Sequence, residues 1–199
     1  MAQIENRGHV TAVPAQTTRT IAVSEIFGVT IQGEGALIGK PTVFVRTGGC
    51  DYRCSWCDTL YAVLPEHKAD WQPLTTVAVF DEVQRLSGHS PLLVTLSGGN
   101  PAIQPLEELL DLGHQHGYTF AIETQGSVAQ SWFAKLDYLT LSPKPPSSKQ
   151  VTRWERLDRS ILSATQNAGT QEAHNTQICL KVVVFDEEDY AYARYVAQR

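Results

Sequence analysis

Hydrophobic positions along the chain fall into short runs, and polar or glycine-rich punctuation follows almost every one. Ile21-Ala22-Val23-Ser24-Glu25-Ile26-Phe27 alternates and predicts a short strand, running into a turn marked by Gly33 and Gly35. Residues 41–46 form a β-rich run closed by Gly48-Gly49. Residues 92–96 read as a buried strand bounded by Pro91 and by Ser97-Gly98-Gly99-Asn100-Pro101. The run 118–122 ends in Glu123-Thr124-Gln125-Gly126, and 138–141 ends in Ser142-Pro143-Lys144-Pro145-Pro146. Residues 177–185 carry the strongest β signal. Between these runs the apolar period lengthens. Val79, Val83 and Leu86, with Phe80, predict a helix over 75–86. Leu106, Leu109, Leu110 and Gly113 predict another, closed near Gly117. A short helix passes through Trp132 and Phe133, and 153–167 is helical in pattern. Asp186-Glu187-Glu188-Asp189 opens the last helix, where acidic side chains favour the dipole.

Strand followed by helix, repeated about five times, argues for a parallel sheet. The fold class predicted is α/β, an open, partial β/α barrel of mostly parallel strands. On such strands the cysteine-bearing loop after 46 and the three polar strand ends converge on one rim. With 199 residues the chain reads as one domain, 21–199, preceded by a flexible extension over 1–20.

Composition narrows the partners. A net charge of −5 and a pI near 5.6 leave no strongly basic surface, which argues against nucleic acid as a direct substrate. No apolar stretch is long enough to span a membrane, and the N-terminus lacks the charged and apolar regions of a signal peptide. Four cysteines in such a chain point to the cytoplasm and to metal chemistry.

Three of those cysteines, Cys50, Cys54 and Cys57, form a C-x3-C-x2-C run at the end of the second strand. A disulfide needs an oxidising compartment. A zinc site needs a fourth ligand, and His67 follows at a plausible distance. On a four-iron cluster these three thiolates would leave one iron free to hold something else. Spacing leaves zinc and iron–sulfur both open. Cys179, in an apolar run, reads as core. Arg46 ends a β run and suits an anion. Glu123 suits sugar hydroxyls or a helix cap, and Lys144 between two prolines suits a carboxylate. Thr59 offers an oxygen to a hard cation. Gly98-Gly99 serves a tight turn or close approach of a ligand. His114 and His116, at a helix end, read as structural.

Cys50, Cys54 and Cys57, with Trp56 and Gly98-Gly99, resemble the cluster motif of radical S-adenosylmethionine enzymes. Ile31-Gln32-Gly33-Glu34-Gly35, Arg46, Cys57-Asp58-Thr59, Glu123-Thr124-Gln125-Gly126 and Ser142-Pro143-Lys144 together resemble the 7-carboxy-7-deazaguanine synthase family, from about Ser24 onward. The resemblance implies conversion of 6-carboxy-5,6,7,8-tetrahydropterin to 7-carboxy-7-deazaguanine with loss of ammonia, toward queuosine and other 7-deazapurines. It implies a 4Fe–4S cluster on Cys50, Cys54 and Cys57. It places S-adenosylmethionine against Trp56, Cys57, Asp58, Gly99, Glu123, Ser142, Pro143 and Lys144. The pterin falls to Ile31, Gln32, Gly33, Glu34, Arg46 and Ser97, and magnesium to Thr59. The implied mechanism is a deoxyadenosyl radical that takes hydrogen from the carbon bearing the carboxylate, followed by ring contraction. A flavodoxin or ferredoxin-like reductant and a homodimer are implied too. Ser97 and Asn100 stand where many members have Thr and Glu. Members also continue several tens of residues past the position of Arg199, adding a strand and a terminal contact to substrate, so a pocket lacking that segment is expected. Two further readings compete: another small radical enzyme, of glycyl-radical activase type, and a zinc-binding interaction module.

Overall fold

The structure is a computed structural model, which describes residues 19–166 and 175–199. The expected extension falls almost wholly on residues 1–18, outside the described residues, as does the last residue of the helix expected over 153–167. The strands are β1 (Ile21–Ile31), β2 (Pro41–Thr47), β3 (Gln72–Leu74), β4 (Leu93–Gly98), β5 (Thr119–Thr124), β6 (Tyr138–Leu141) and β7 (Gln177–Leu180). The α-helices are α1 (Leu60–Val63), α2 (Thr76–Leu86), α3 (Glu107–Gln115), α4 (Trp154–Thr165) and α5 (Glu187–Gln198). One sheet runs in the order β3-β1-β2-β4-β5-β6-β7. Every pair from β2 to β7 is parallel, as the strand–helix alternation predicts. Among the described residues no helix is long and apolar enough to cross a membrane.

The first strand departs from that prediction. β1 is antiparallel to β2, with Glu25 opposite Arg46 and Ile31 opposite Pro41. The residues between them, 32–40, include only a 3-10 turn at Gly35–Leu37, too short a connection for a parallel crossover. The loop expected up to Pro73 holds α1, a 3-10 turn at Pro65–Asp70 and β3, which pairs with β1. The helix expected at Trp132 is a 3-10 turn, Ser131–Lys135. The β signal at 177–185 yields a strand only to Leu180. Lys181 N still donates to Leu141 O at 2.9 Å, but β6 ends there and the proline-rich run after Ser142 offers β7 no continuing edge.

Alternation along the strands sorts two faces. Val43, Val45, Val94, Leu96, Phe120, Ile122, Leu139 and Leu141 point to one side and form the core with Val79, Phe80 and Val83 of α2, Leu109 and Leu110 of α3 and Leu157 of α4. Full burial of each such side chain is worth about 1.5–3 kcal/mol. The opposite face is polar toward the strand ends: Arg46, Ser97, Glu123 and Lys181 look into a cavity. Deeper on that face, Thr42 and Thr95 bond each other at 2.9 Å, and Leu37 packs on Leu93 and Ala121. Cys179 belongs here rather than in the core, half-buried with its sulfur 3.2 Å from Thr140 Oγ1. His114, at the end of α3, meets Asp137 Oδ2 at 3.1 Å.

Candidate active site

The cavity at the C-terminal ends of the parallel strands measures about 660 Å³. All three clustered cysteines line it, unbridged, on the loop that leaves β2. Close backbone contact holds that loop. Gly99 N donates to Thr47 O at 3.0 Å, and Asn100 N to Gly49 O at 2.7 Å. A Cβ on Gly98 would stand 2.2 Å from Thr47 O, and one on Gly99 2.1 Å from Gly49 O. The glycine pair is therefore required by strand-to-loop packing, whatever else approaches it.

Two sets of hydrogen bonds fix the cysteine loop from either side. From β4 and β5, Asn100 Nδ2 and Gln125 Nε2 both donate to Asp51 Oδ1, at 2.8 and 2.7 Å. From the run after β6, Trp56 Nε1 donates to Ser147 Oγ at 3.0 Å, and Ser55 N donates to Ser148 O at 3.0 Å. Asp189 stands behind that run. Read from sequence as a dipole partner of α5, it is instead fully buried and accepts from Ser147 N at 3.0 Å and Phe185 N at 3.1 Å. Asp186 caps the helix, accepting from Asp189 N at 2.8 Å. Burial opposes ionisation of Asp189, yet the Ser147 and Phe185 donors outweigh it and hold its carboxyl below the usual range.

Around the thiols the charges are arranged in opposition. Burial raises Cys50 and Cys54, while N–H donors to Cys50 and the Lys144 ammonium near Cys54 pull back. Burial likewise lowers Lys144, against the thiols. Lys144 Nζ donates to Ser142 Oγ at 3.1 Å and lies 5.6 Å from the Trp56 ring centroid. Thr59 Oγ1 is 3.7 Å from Cys57 Sγ. Across the cavity Arg46 Nε donates to Glu25 Oε1 at 2.7 Å. Gln32 Nε2 donates to Glu123 Oε1 at 2.9 Å, and Lys181 pairs with Glu34 and, at 3.7 Å, with Glu123.

Of the residues that the resemblance assigns to cluster, cofactor, substrate or magnesium, all but Ile31 and Pro143 line this cavity. Ile31 is largely exposed at the end of β1. Glu25, Asp51, Asn100, Gln125 and Lys181 carry no site role in the sequence reading. Polar side chains in or just after strand-forming runs were the signal available for all but Asp51, which is exposed on the cysteine loop. His67 sits on an exposed turn with Asp70 at 3.4 Å, apart from the cavity lining. Among the described residues no three His, Cys, Asp or Glu side chains gather as around a single ion.

No family model matches the chain. The 7-carboxy-7-deazaguanine synthase of Bacillus subtilis (strain 168) is 46% identical over 180 residues, covering 90% of this chain and 72% of that protein. That of Bacillus cereus is 43% identical, with the same shares covered. The chain belongs to the 7-carboxy-7-deazaguanine synthase family. Membership makes it an enzyme, a lyase, and its superfamily implies iron–sulfur and S-adenosylmethionine chemistry. The readings as a zinc module or as a glycyl-radical activase give way to it. The fold agrees. The crystal structure of QueE from Escherichia coli superposes with a TM-score of 0.60 at 22% identity, covering 90% of both chains. TYW1 with a lysine-pyruvate adduct bound gives 0.50 at 14% identity over 74% of this chain and 56% of that one.

Proposed function

We propose that this chain converts 6-carboxy-5,6,7,8-tetrahydropterin to 7-carboxy-7-deazaguanine with loss of ammonia, a step toward queuosine and other 7-deazapurines. The observation that carries the reading is 46% identity to the Bacillus subtilis synthase over 90% of the chain. A cavity with thiols on one wall and a guanidinium and carboxylates on another supports it.

The donor set suits a multi-iron centre. Tetrahedral zinc needs a fourth donor, and His67, the candidate for it, faces Asp70 outside the cavity lining. Unbridged thiols sharing a cavity wall with amide donors and an ammonium fit a larger anionic cluster better. Cys50, Cys54 and Cys57 would hold a 4Fe–4S cluster. When bound, it and S-adenosylmethionine supply radical abstraction of hydrogen from carbon.

The rest is done by side chains. Lys144 would pair with the carboxylate of S-adenosylmethionine, with Ser142 and the Pro143 backbone beside it. Trp56 and Asp58 would flank the nucleoside, Glu123 its hydroxyls, and Gly99 would give backbone close to it. Arg46 has its Nε committed to Glu25, so its terminal nitrogens serve the substrate carboxylate. Gln32, Gly33, Glu34 and Ser97 would read the polar edge of the pterin, Ile31 through its backbone, and Thr59 would offer its oxygen to Mg²⁺. A flavodoxin or ferredoxin-like reductant and a homodimeric assembly belong to the same proposal.

The test is anaerobic reconstitution of the full chain, iron analysis, then incubation with reductant, S-adenosylmethionine, Mg²⁺ and the carboxypterin. Four irons per chain and a deazaguanine product by mass spectrometry are expected. Loaded protein that cleaves S-adenosylmethionine but leaves the pterin untouched would overturn the substrate assignment.

A further inference from the structure

We propose that Gln125 is a positioning residue that sets the electron affinity of the centre held at Cys50, through an N–H···S contact. The inference rests on the reading of Cys50 as a cluster ligand. Gln125 leaves the end of β5 and is only 6% exposed. Its amide nitrogen is 2.7 Å from Asp51 Oδ1 and 3.6 Å from Cys50 Sγ. A carboxylate only accepts, so the nitrogen, not the oxygen, must face it. One amide hydrogen goes to Asp51 and the other is directed to sulfur.

The rest of the network leaves Gln125 little choice of rotamer. Asn100, fully buried, spends its amide hydrogens on Asp51 and on Ser127 Oγ at 3.2 Å. Its oxygen accepts from Ala102 N at 3.2 Å and Thr124 Oγ1 at 2.8 Å. Asp51 is thereby held from two sides and presents a fixed acceptor to Gln125. Cys50 takes a second N–H, from Tyr52 N at 3.4 Å. Among the described residues it is the clustered cysteine whose sulfur receives a side-chain amide, whereas Cys57 meets a hydroxyl.

Donors aimed at a ligand sulfur stabilise the extra negative charge of the reduced state, and so raise its potential. In a half-buried site the effect is larger than in water. Asp51 acts the other way, as a negative charge beside the same sulfur. Residues that merely glued the loop would not produce opposite electrical signs.

The experiment compares the reconstituted full chain with Gln125→Met and Asp51→Asn, without S-adenosylmethionine or substrate. Iron content is measured, and the midpoint potential is read by dye-mediated titration with EPR of the reduced state. Gln125→Met should bind electrons about threefold to tenfold less well, about 30 to 60 mV at 59 mV per decade. Asp51→Asn keeps an oxygen for both amides and loses a charge, so it should shift upward. Gln125→Met with wild-type iron and an unchanged potential would overturn the inference. So would failure of Gln125→Met to take up iron that the wild type takes up, since Gln125 would then serve assembly. A wild type that binds no cluster would sink the reading of Cys50 instead.

Discussion

Glu25 and Arg46 are cross-strand partners of the antiparallel pair β1–β2, and Arg46 Nε donates to Glu25 Oε1 at 2.7 Å. Tyr61 OH donates to the same oxygen at 2.8 Å, and Phe27 lies 5.8 Å from the guanidinium. The antiparallel strand thus sets a carboxylate beside the cation assigned to the substrate carboxylate. Glu25→Gln should raise KM for the pterin while moving kcat little, because it loosens Arg46 without removing it. The Glu25 side chain is 40% exposed, so solvent screens the pair. About 1 kcal/mol, or about fivefold in KM, is expected from steady-state kinetics.

That relationship lay outside what the chain's alternation could reveal. Strand–helix order made the sheet from β2 to β7 legible, and glycine or polar punctuation marked the rim where the cavity forms. The direction of β1 was open to inference from the shortness of 32–40, but five repeats of strand and helix outweighed it. Cys50, Cys54 and Cys57 were legible because their spacing is local. Asn100 and Asp51 were not, since their meeting depends on how closely Gly98-Gly99 lets β4 approach the cysteine loop. Lys181 sits in an apolar run, and only the sheet's two faces separate it from Ile178, which packs against the core.

Gly99→Ala should unfold the site before it alters any ligand contact. The new methyl would stand 2.1 Å from Gly49 O and 2.8 Å from Ala62 O, both backbone atoms. Relief requires moving the cysteine loop off β4. A loss of about 3 kcal/mol is expected, which for a chain of this size lowers Tm by about 6–12 °C. Calorimetry of the cluster-free protein measures it. A Tm within about 2 °C of wild type, the effect of about 1 kcal/mol or less, would contradict the close packing at Gly99.

Asp189 makes part of the protein's stability depend on pH. Its folded carboxyl is held below the usual range, so its contribution is full above the unfolded value, about 3.9. The contribution is lost as pH falls through the lower folded value. Asp189→Asn should therefore be less stable than wild type at neutral pH, with the gap narrowing below about pH 4. Urea unfolding at several pH values follows it. A gap that stays constant into acid would show that the ionised carboxylate is not what Ser147 and Phe185 require.

Lys144 is held between Pro143 and Pro145 with its ammonium toward the thiols and the Trp56 face. Lys144→Met keeps the stem's packing and removes the charge. Binding of S-adenosylmethionine to the reconstituted protein should weaken by about 2 kcal/mol, about thirtyfold in Kd. Equilibrium dialysis reads this without turnover. Unchanged affinity would move the carboxylate of that cofactor elsewhere in the cavity.

Lys181 spans two carboxylates from different elements, Glu34 on the loop after β1 and Glu123 at the end of β5. Burial alone would lower its pKa, but Glu123 and Glu34 outweigh burial and raise it. The ammonium therefore stays charged and ties the loop 32–40 to β7, while Lys40 Nζ ties it to Tyr138 OH at 2.9 Å. Lys181→Met should leave Glu123 beside Glu34 without a counter-charge and free the Gln32 end of the loop. The Glu34 side chain is 60% exposed, so the loss of stability is small. The loss of substrate order is larger: KM for the pterin should rise about tenfold, which is about 1.4 kcal/mol. Lys181→Arg, able to bridge both carboxylates, should recover most of it. If Arg fails where Lys succeeds while both fold alike, Lys181 must contact the substrate itself.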